Sequence, residues 1–297
     1  NMNDLNGRDI YQFRVWRREG GYSEGKDGEI APKTLDSALT VVRSFLQFCA
    51  QIDAVHEDTY EKVPLLSLSR NQEVSDTTLD PERVPPILDY LNRYEYASRD
   101  HVIWVLLWHT GARLGGVRSI DLSDCNLDGR KHTIEFVHRP ESDTPLKNKD
   151  QGERVNRISE RVSTIIQDYI DGPRFSVRDD HGRRPLLTTQ HGRASRNLVR
   201  QTIYRWTRPC FIGKECPVGE DPASCEYAQH DHMSKCPESR STHTVRKARV
   251  TQYRNDGVPR GVVSDRLDTS EDMLDKHYDR ASKREKADRR WRLIRDD

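Results

Sequence analysis

An almost unbroken apolar run, Val102 to Trp108, ends at a Thr-Gly turn in "HTGARLGG", and Arg113 follows directly. A guanidinium keeps its charge in any protein environment, so Arg113 must be solvated, paired with an acid, or directed at an anion. Three further chemically capable features follow in chain order. "TPLKNKD" carries Lys147 and Lys149. "STHTVRKARVTQY" sets His243 and Arg246 three residues apart, on one face if the stretch is helical. "LDTSEDMLDKHYDR" offers Thr269 or Ser270 as an N-cap, acids in the first turn, and Tyr278 two turns on. Fixed cations bind anions, an imidazole exchanges protons near neutral pH, and a phenol becomes a nucleophile once its proton is taken. Each feature also has an ordinary structural explanation: a chance pair, a solvated lysine, a core tyrosine.

The elements that must position these side chains are mostly helical. In residues 33–54, Leu35, Leu39, Val42, Leu46 and Cys49 recur at helical spacing, which predicts one amphipathic helix. Residues 66–86 are polar, rich in turn formers and end in prolines, as a linker into a helix over "PPILDYLNRY" would be. The boundary falls near residue 78, giving a helical unit over 1–78 and a second unit over 79–297. That second unit opens with a helix through 102–108. "HTIEFV" (132–137) and "ERVNRIS" (153–159) then alternate like strands, forming a hairpin whose long tip holds Lys147. Ser159 caps a helix in "ERVSTIIQDYI", and "SRNLVRQTIYRWT" reads as another. The fold class is mainly α with a small antiparallel β-sheet.

Charged residues make up 33% and apolar residues 34% of the 297 positions, which predicts a soluble chain with amphipathic helices. The longest apolar run is far short of the roughly 20 residues a membrane helix needs. "NMNDLNGRDIYQF" has neither a basic n-region nor an apolar stretch, so the expected location is cytoplasmic and no membrane partner is expected. A net charge of +1 conceals asymmetry. Residues 239–260 hold six Lys or Arg against Asp256 alone, a local +5, and residues 276–297 hold nine against five acids, a local +4.

Cys210, Cys216, Cys225 and Cys236 crowd into a polar insertion, residues 210–236, with little apolar material to fold around. Such a segment needs a covalent or metal staple. In a reducing cytoplasm four thiolates on one Zn²⁺ are favoured over two disulfides, although the CxxC knuckle is missing and free thiols or disulfides remain alternatives. His230 and His232 are possible replacement ligands. The position just before "HTVR" suits a structural zinc that braces His243 and Arg246. Cys49 and Cys125 read as buried small apolar residues.

In order and spacing these features resemble the tyrosine recombinases, the phage integrase family, whose pattern is Arg, a hairpin Lys, HxxR, a His or Trp, then Tyr. The matching residues are Arg113, Lys147, His243, Arg246, Thr269 and Tyr278, over roughly residues 80–280. "VRSFLQFC" is similar to that family's core-binding domain, and the wording of several stretches is nearest to archaeal, especially haloarchaeal, integrase-like members. The resemblance implies a helical core-binding domain followed by an α+β catalytic domain, together clamping duplex DNA.

The implied activity is site-specific recombination through a 3′-phosphotyrosyl intermediate. Arg113 and Arg246 would hold the scissile phosphate's non-bridging oxygens. Tyr278 would attack, with His243 taking its proton and Lys147 protonating the leaving 5′ oxygen. No cofactor is implied for catalysis. The implied partners are double-stranded DNA and three further copies of the chain in a homotetramer on DNA, with Trp291, Leu293 and Ile294 as docking residues of the tail. Two positions depart from the pattern. Gly116 stands where an acid usually follows the first Arg, and Thr269 stands where His or Trp is usual; His277 is a possible substitute. A type IB topoisomerase shares much of this chemistry, and a zinc-braced DNA-binding protein without cleavage is the reading from another class.

Overall fold

The computed structural model describes residues 2–21, 28–69, 72, 77–274, 284, 287 and 291. The chain divides into two compact units, Asn1–Asp76 and Thr77–Asp297.

In the first unit, helix α1 (Gly7–Arg18) starts at Asn6, whose side chain accepts from the Arg8 amide while Asp9 reaches back to the Asn6 amide, a reciprocal capping box. Helix α2 (Pro32–Gln51) begins with Pro32 in its first turn, where a missing N–H is harmless. It buries Leu35, Leu39, Leu46 and Cys49, with Val42 partly buried, against Ile10, Val55 and Val63.

The second unit opens with α3 (Val84–Tyr94), α4 (Arg99–Thr110) and the short α5 (Leu114–Ser119). Residues 101–107 of α4 are all buried, because a helix apolar on every side must run through a core rather than along a surface. Ser98 caps its start by accepting from the His101 amide, and Gly111, at φ 64°, ends it in the left-handed conformation. Gly is required at that point twice over, since a Cβ there would also lie 2.9 Å from Leu267 Cγ.

Strands β1 (Cys125–Asn126), β2 (Thr133–Phe136) and β3 (Arg154–Arg157) form an antiparallel sheet, with β2 and β3 in register from Thr133 opposite Arg157 to Phe136 opposite Arg154. Ile134 and Phe136 point into the core. The strands are shorter than the sequence pattern suggests, because Ser159 leaves the sheet to cap helix α6 (Glu160–Asp171) through the Val162 amide. The long tip, 137–153, is held at its base by buried ions. Arg139 grips both oxygens of Asp124, at 2.9 and 2.6 Å. Arg183 bridges Asp121 (2.7 Å) to the Ser142 and Thr144 hydroxyls of the tip.

A two-stranded hairpin, β4 (Thr188–Thr189) and β5 (Gly192–Arg193), escaped the sequence reading because strands of two residues have no periodicity to detect. Helices α7 (Arg196–Trp206), α8 (Thr242–Asn255), α9 (Arg260–Leu267) and α10 (Glu271–Met273) complete the unit. The cysteine-rich segment between α7 and α8 contains only short 3₁₀ turns. No described helix is long and apolar enough to cross a membrane. The architecture is mainly helical with a small antiparallel sheet, as the sequence patterns imply.

Candidate active site

Arg113, Lys147, His243 and Arg246 come from a turn, a hairpin tip and a helix, and all four line one cavity of about 590 Å³. Thr269 is not among the residues that line this cavity: it is buried, with its amide and carbonyl both engaged by Ser264. Tyr278 and His277 lie outside the described residues. Met273 of α10, five positions before Tyr278, is on the cavity wall.

The cations are held by the C-terminal end of α9. A helix ends with carbonyl groups that have no partner inside it and that carry the negative end of the helix dipole, so cations collect there. Three successive carbonyls are occupied in this way. Arg154 Nε and Asn156 Nδ2 donate to Arg266 O at 2.9 and 3.1 Å. Arg246 Nη1 donates to Leu267 O at 2.8 Å and to Gly111 O at 2.7 Å. Arg113 Nη1 donates to Asp268 O at 2.8 Å and to the Asp268 carboxylate at 2.7 Å. Arg246 therefore ties the turn before Arg113 to the turn that carries Asp268.

Asp268 is the acid that orients Arg113. Its other carboxylate oxygen accepts from Asn148 Nδ2 at 2.7 Å, which links it to the hairpin tip one residue after Lys147. A Cβ at Gly116 would sit a tight 3.2 Å from Phe136 Cδ1, and Arg154 stacks 4.2 Å above that same ring. Asp268 adopts the left-handed conformation (φ 55°), which Asp tolerates better than most residues.

Electrostatics favour an anion and a neutral base. His243 is exposed at the cavity, yet burial of part of its ring and the repulsion of Lys247, Arg246, Arg113 and Lys147 bring its pKa from 6.5 to about 4. The imidazole is therefore uncharged at neutral pH and able to take a proton. Burial lowers the pKa of Arg154 to about 10, which leaves it cationic at neutral pH. Arg196 and Arg200, exposed and four residues apart on α7, add two more cations to the wall. Such a cavity can bind a phosphate-like anion through several charge-assisted hydrogen bonds and accept a proton beside it.

Sequence reasoning missed Asp268, Arg154, Arg196 and Arg200. The spacing of the last two was visible but looks the same as any solvated helix face. Nothing local marks Asp268, whose role depends on a side chain 155 positions away.

Cys210, Cys216, Cys225 and Cys236 line a separate cavity of about 390 Å³, and all six cysteines are free. Among the described residues no three His, Cys, Asp or Glu side chains are gathered as a group that could hold a metal ion.

No protein-family model matches this sequence, and no curated protein matches it. Solved structures do. The Tn1549 transposon integrase in complex with a circular intermediate DNA is 15% identical, with 98% of this chain and 87% of that one covered at a TM-score of 0.61. The XerH site-specific recombinase bound to a palindromic difH substrate is 13% identical, with 98% and 74% covered at 0.62. The XerA recombinase is 13% identical, with 100% and 86% covered at 0.51. At such identities the likeness is one of fold: the chain shares the fold of these recombinase and integrase structures.

Proposed function

We propose that this chain is a site-specific DNA recombinase that cleaves and rejoins double-stranded DNA through a 3′-phosphotyrosyl intermediate, working as a homotetramer on two sites. The observation that carries this reading is the meeting of Arg113, Lys147, His243 and Arg246 on one cavity from three separate segments.

In this reading the scissile phosphate sits between Arg113 and Arg246. Attack adds charge to the two non-bridging oxygens, so preoriented guanidiniums favour the pentavalent transition state over the ground state. Among the described residues the hydrogen bonds of Arg113 use Nη1 alone, which leaves Nε and Nη2 for the phosphate. Asp268 keeps that guanidinium oriented in place of the acid missing at Gly116.

Tyr278 Oη attacks phosphorus as its proton passes to neutral His243. The P–O5′ bond breaks, and Lys147 donates a proton to the leaving 5′ oxygen. Rejoining runs the same steps backward with the 5′ hydroxyl of the other DNA. Arg196 and Arg200 hold flanking phosphates, which makes affinity fall as salt rises, whereas Thr269, off the cavity wall, makes no phosphate contact in this reading.

The test uses DNA recovered from the sites the chain occupies in cells, rebuilt as a nicked suicide substrate. A covalent protein–DNA adduct that disappears in Tyr278→Phe is the expected result. Retained binding without adduct overturns the reading in favour of a non-cleaving DNA-binding protein. Relaxation of supercoiled DNA without site dependence overturns it in favour of a type IB topoisomerase.

A further inference from the structure

The segment joining α7 to α8 covers the apolar surface of Trp206 and Phe211 with turns that have scarcely any core of their own; Met233, 3% exposed, is its one deeply buried apolar side chain. Its four cysteines are spread over 27 positions, yet all four line the same cavity, none of them in a disulfide.

A second observation points to what they hold. Arg208 lines that cavity, is 1% exposed, and stacks 4.1 Å from Phe211. Its Nη1 donates to the Tyr227 carbonyl, but its Nη2 is buried with no hydrogen-bond partner. A buried cationic N–H without an acceptor is costly, and it calls for negative charge nearby. Four thiolates on one divalent ion carry a net charge of −2, which is the acceptor and the counter-charge this guanidinium lacks.

We propose that Cys210, Cys216, Cys225 and Cys236 bind one Zn²⁺ as a tetrathiolate, with Arg208 donating to the metal-bound sulfurs. The sulfurs are not gathered at ligand spacing in the metal-free chain, so binding must draw them together to the ~2.3 Å Zn–S distance. Binding releases the thiol protons to solvent: four S–H bonds are exchanged for four S–Zn bonds, with no change of oxidation state.

The site is structural. It closes the segment whose far end is anchored by Ser239 Oγ to Tyr204 O (3.1 Å), by the Arg240 amide to Thr207 Oγ1 (2.9 Å) and by Glu238 to Arg83 (3.0 Å). Three residues after Arg240 the chain reaches His243. The inference stands apart from the recombinase reading, since it needs no DNA.

The experiment is metal analysis of the full chain purified under reducing conditions without chelator. One zinc per chain is expected, and exchange with Co²⁺ should produce thiolate-to-cobalt charge-transfer absorption together with the strong visible bands of a tetrahedral S₄ site. Cys216→Ser combined with Cys225→Ser should abolish both signals, and Cys49→Ala should leave them intact. Arg208→Met should keep all four ligands and lower zinc affinity about 10- to 100-fold in competition with a chelator, as loss of a supporting hydrogen bond does at other zinc sites. Because the cobalt spectrum is read on the unmodified chain, a variant that misfolds does not decide the matter. Protein free of zinc whose four thiols react freely with a thiol reagent, or are joined in disulfides, overturns the proposal.

Discussion

Arg113 and Asp268 lie 155 residues apart in the chain and meet at 2.7 Å, so the turn that ends α9 supplies the carboxylate that the turn after α4 lacks. Gly116 carries no acid, and the turn at Asp268 presents both a carboxylate and a carbonyl to the Arg113 guanidinium. In the proposed reaction this pairing orients a cation toward phosphate, and Asp268 is a positioning residue.

Asp268→Asn should therefore slow the cleavage step about 10- to 100-fold, the equivalent of the roughly 1.5–3 kcal/mol that a hydrogen bond to a charged group contributes. Affinity for DNA should change little, since removing a carboxylate beside phosphate takes away no contact to DNA. Single-turnover adduct formation at saturating DNA checks this, and an unchanged rate would refute the assignment.

Arg113→Lys and Arg246→Lys each keep the charge but lose the forked donor. Arg246→Lys also loses the bridge between Gly111 O and Leu267 O. Each should reduce adduct formation by about two to three orders of magnitude, the usual cost of one oriented transition-state donor. Arg246→Lys should also lower the melting temperature, because Arg246 is almost completely buried.

The pH dependence of cleavage should show no acid limb at the ordinary histidine value. His243 stays neutral down to about pH 4 in the free protein, so its capacity to accept a proton persists well below 6.5. The pH profile of kcat/KM reports this group; a half-maximal rate near pH 6.5 on the acid side contradicts it.

Stability should fall with acid over a defined window. Burial lowers the pKa of His101 to about 4, and burial with Arg266 and Arg249 does the same for His109, whereas in the unfolded chain both take a proton near 6.5. Between those values the unfolded state binds more protons, so stability drops as pH goes from about 6.5 to 4 and is unaffected by these groups above it. His101 Nδ1 accepts from the Ala97 amide, a bond that protonation destroys. His101→Asn preserves an acceptor without a titrating group, so it should flatten the slope by up to about 1.4 kcal/mol per pH unit. Denaturant titrations at stepped pH measure it.

Gly111→Ala should destabilise the second unit by about 1–3 kcal/mol, through a left-handed backbone and a Cβ pressed on Leu267. Because Leu267 and Asp268 carry the anchors of both arginines, cleavage should fall further than stability alone requires. A normal rate in the folded variant would show that the two turns are not coupled.

Local chemistry determined a large part of this protein. The face of α2, the cap at Ser159, the hairpin that carries Lys147 and the helix that unites His243 with Arg246 follow from periodicity and hydrogen-bonding preference, which act over a few residues and so can be read in the chain. The order of Arg113, Lys147, His243 and Arg246 was likewise visible. Only the tertiary structure decided that Asp268 partners Arg113, that three carbonyls at the end of α9 collect the guanidiniums, that Arg196 and Arg200 face the same cavity, and that four cysteines line one cavity with an unsatisfied Arg208. Those relationships join residues far apart in the chain, and a charge's partner depends on what packing brings within about 3 Å, a distance that neighbours in sequence do not encode.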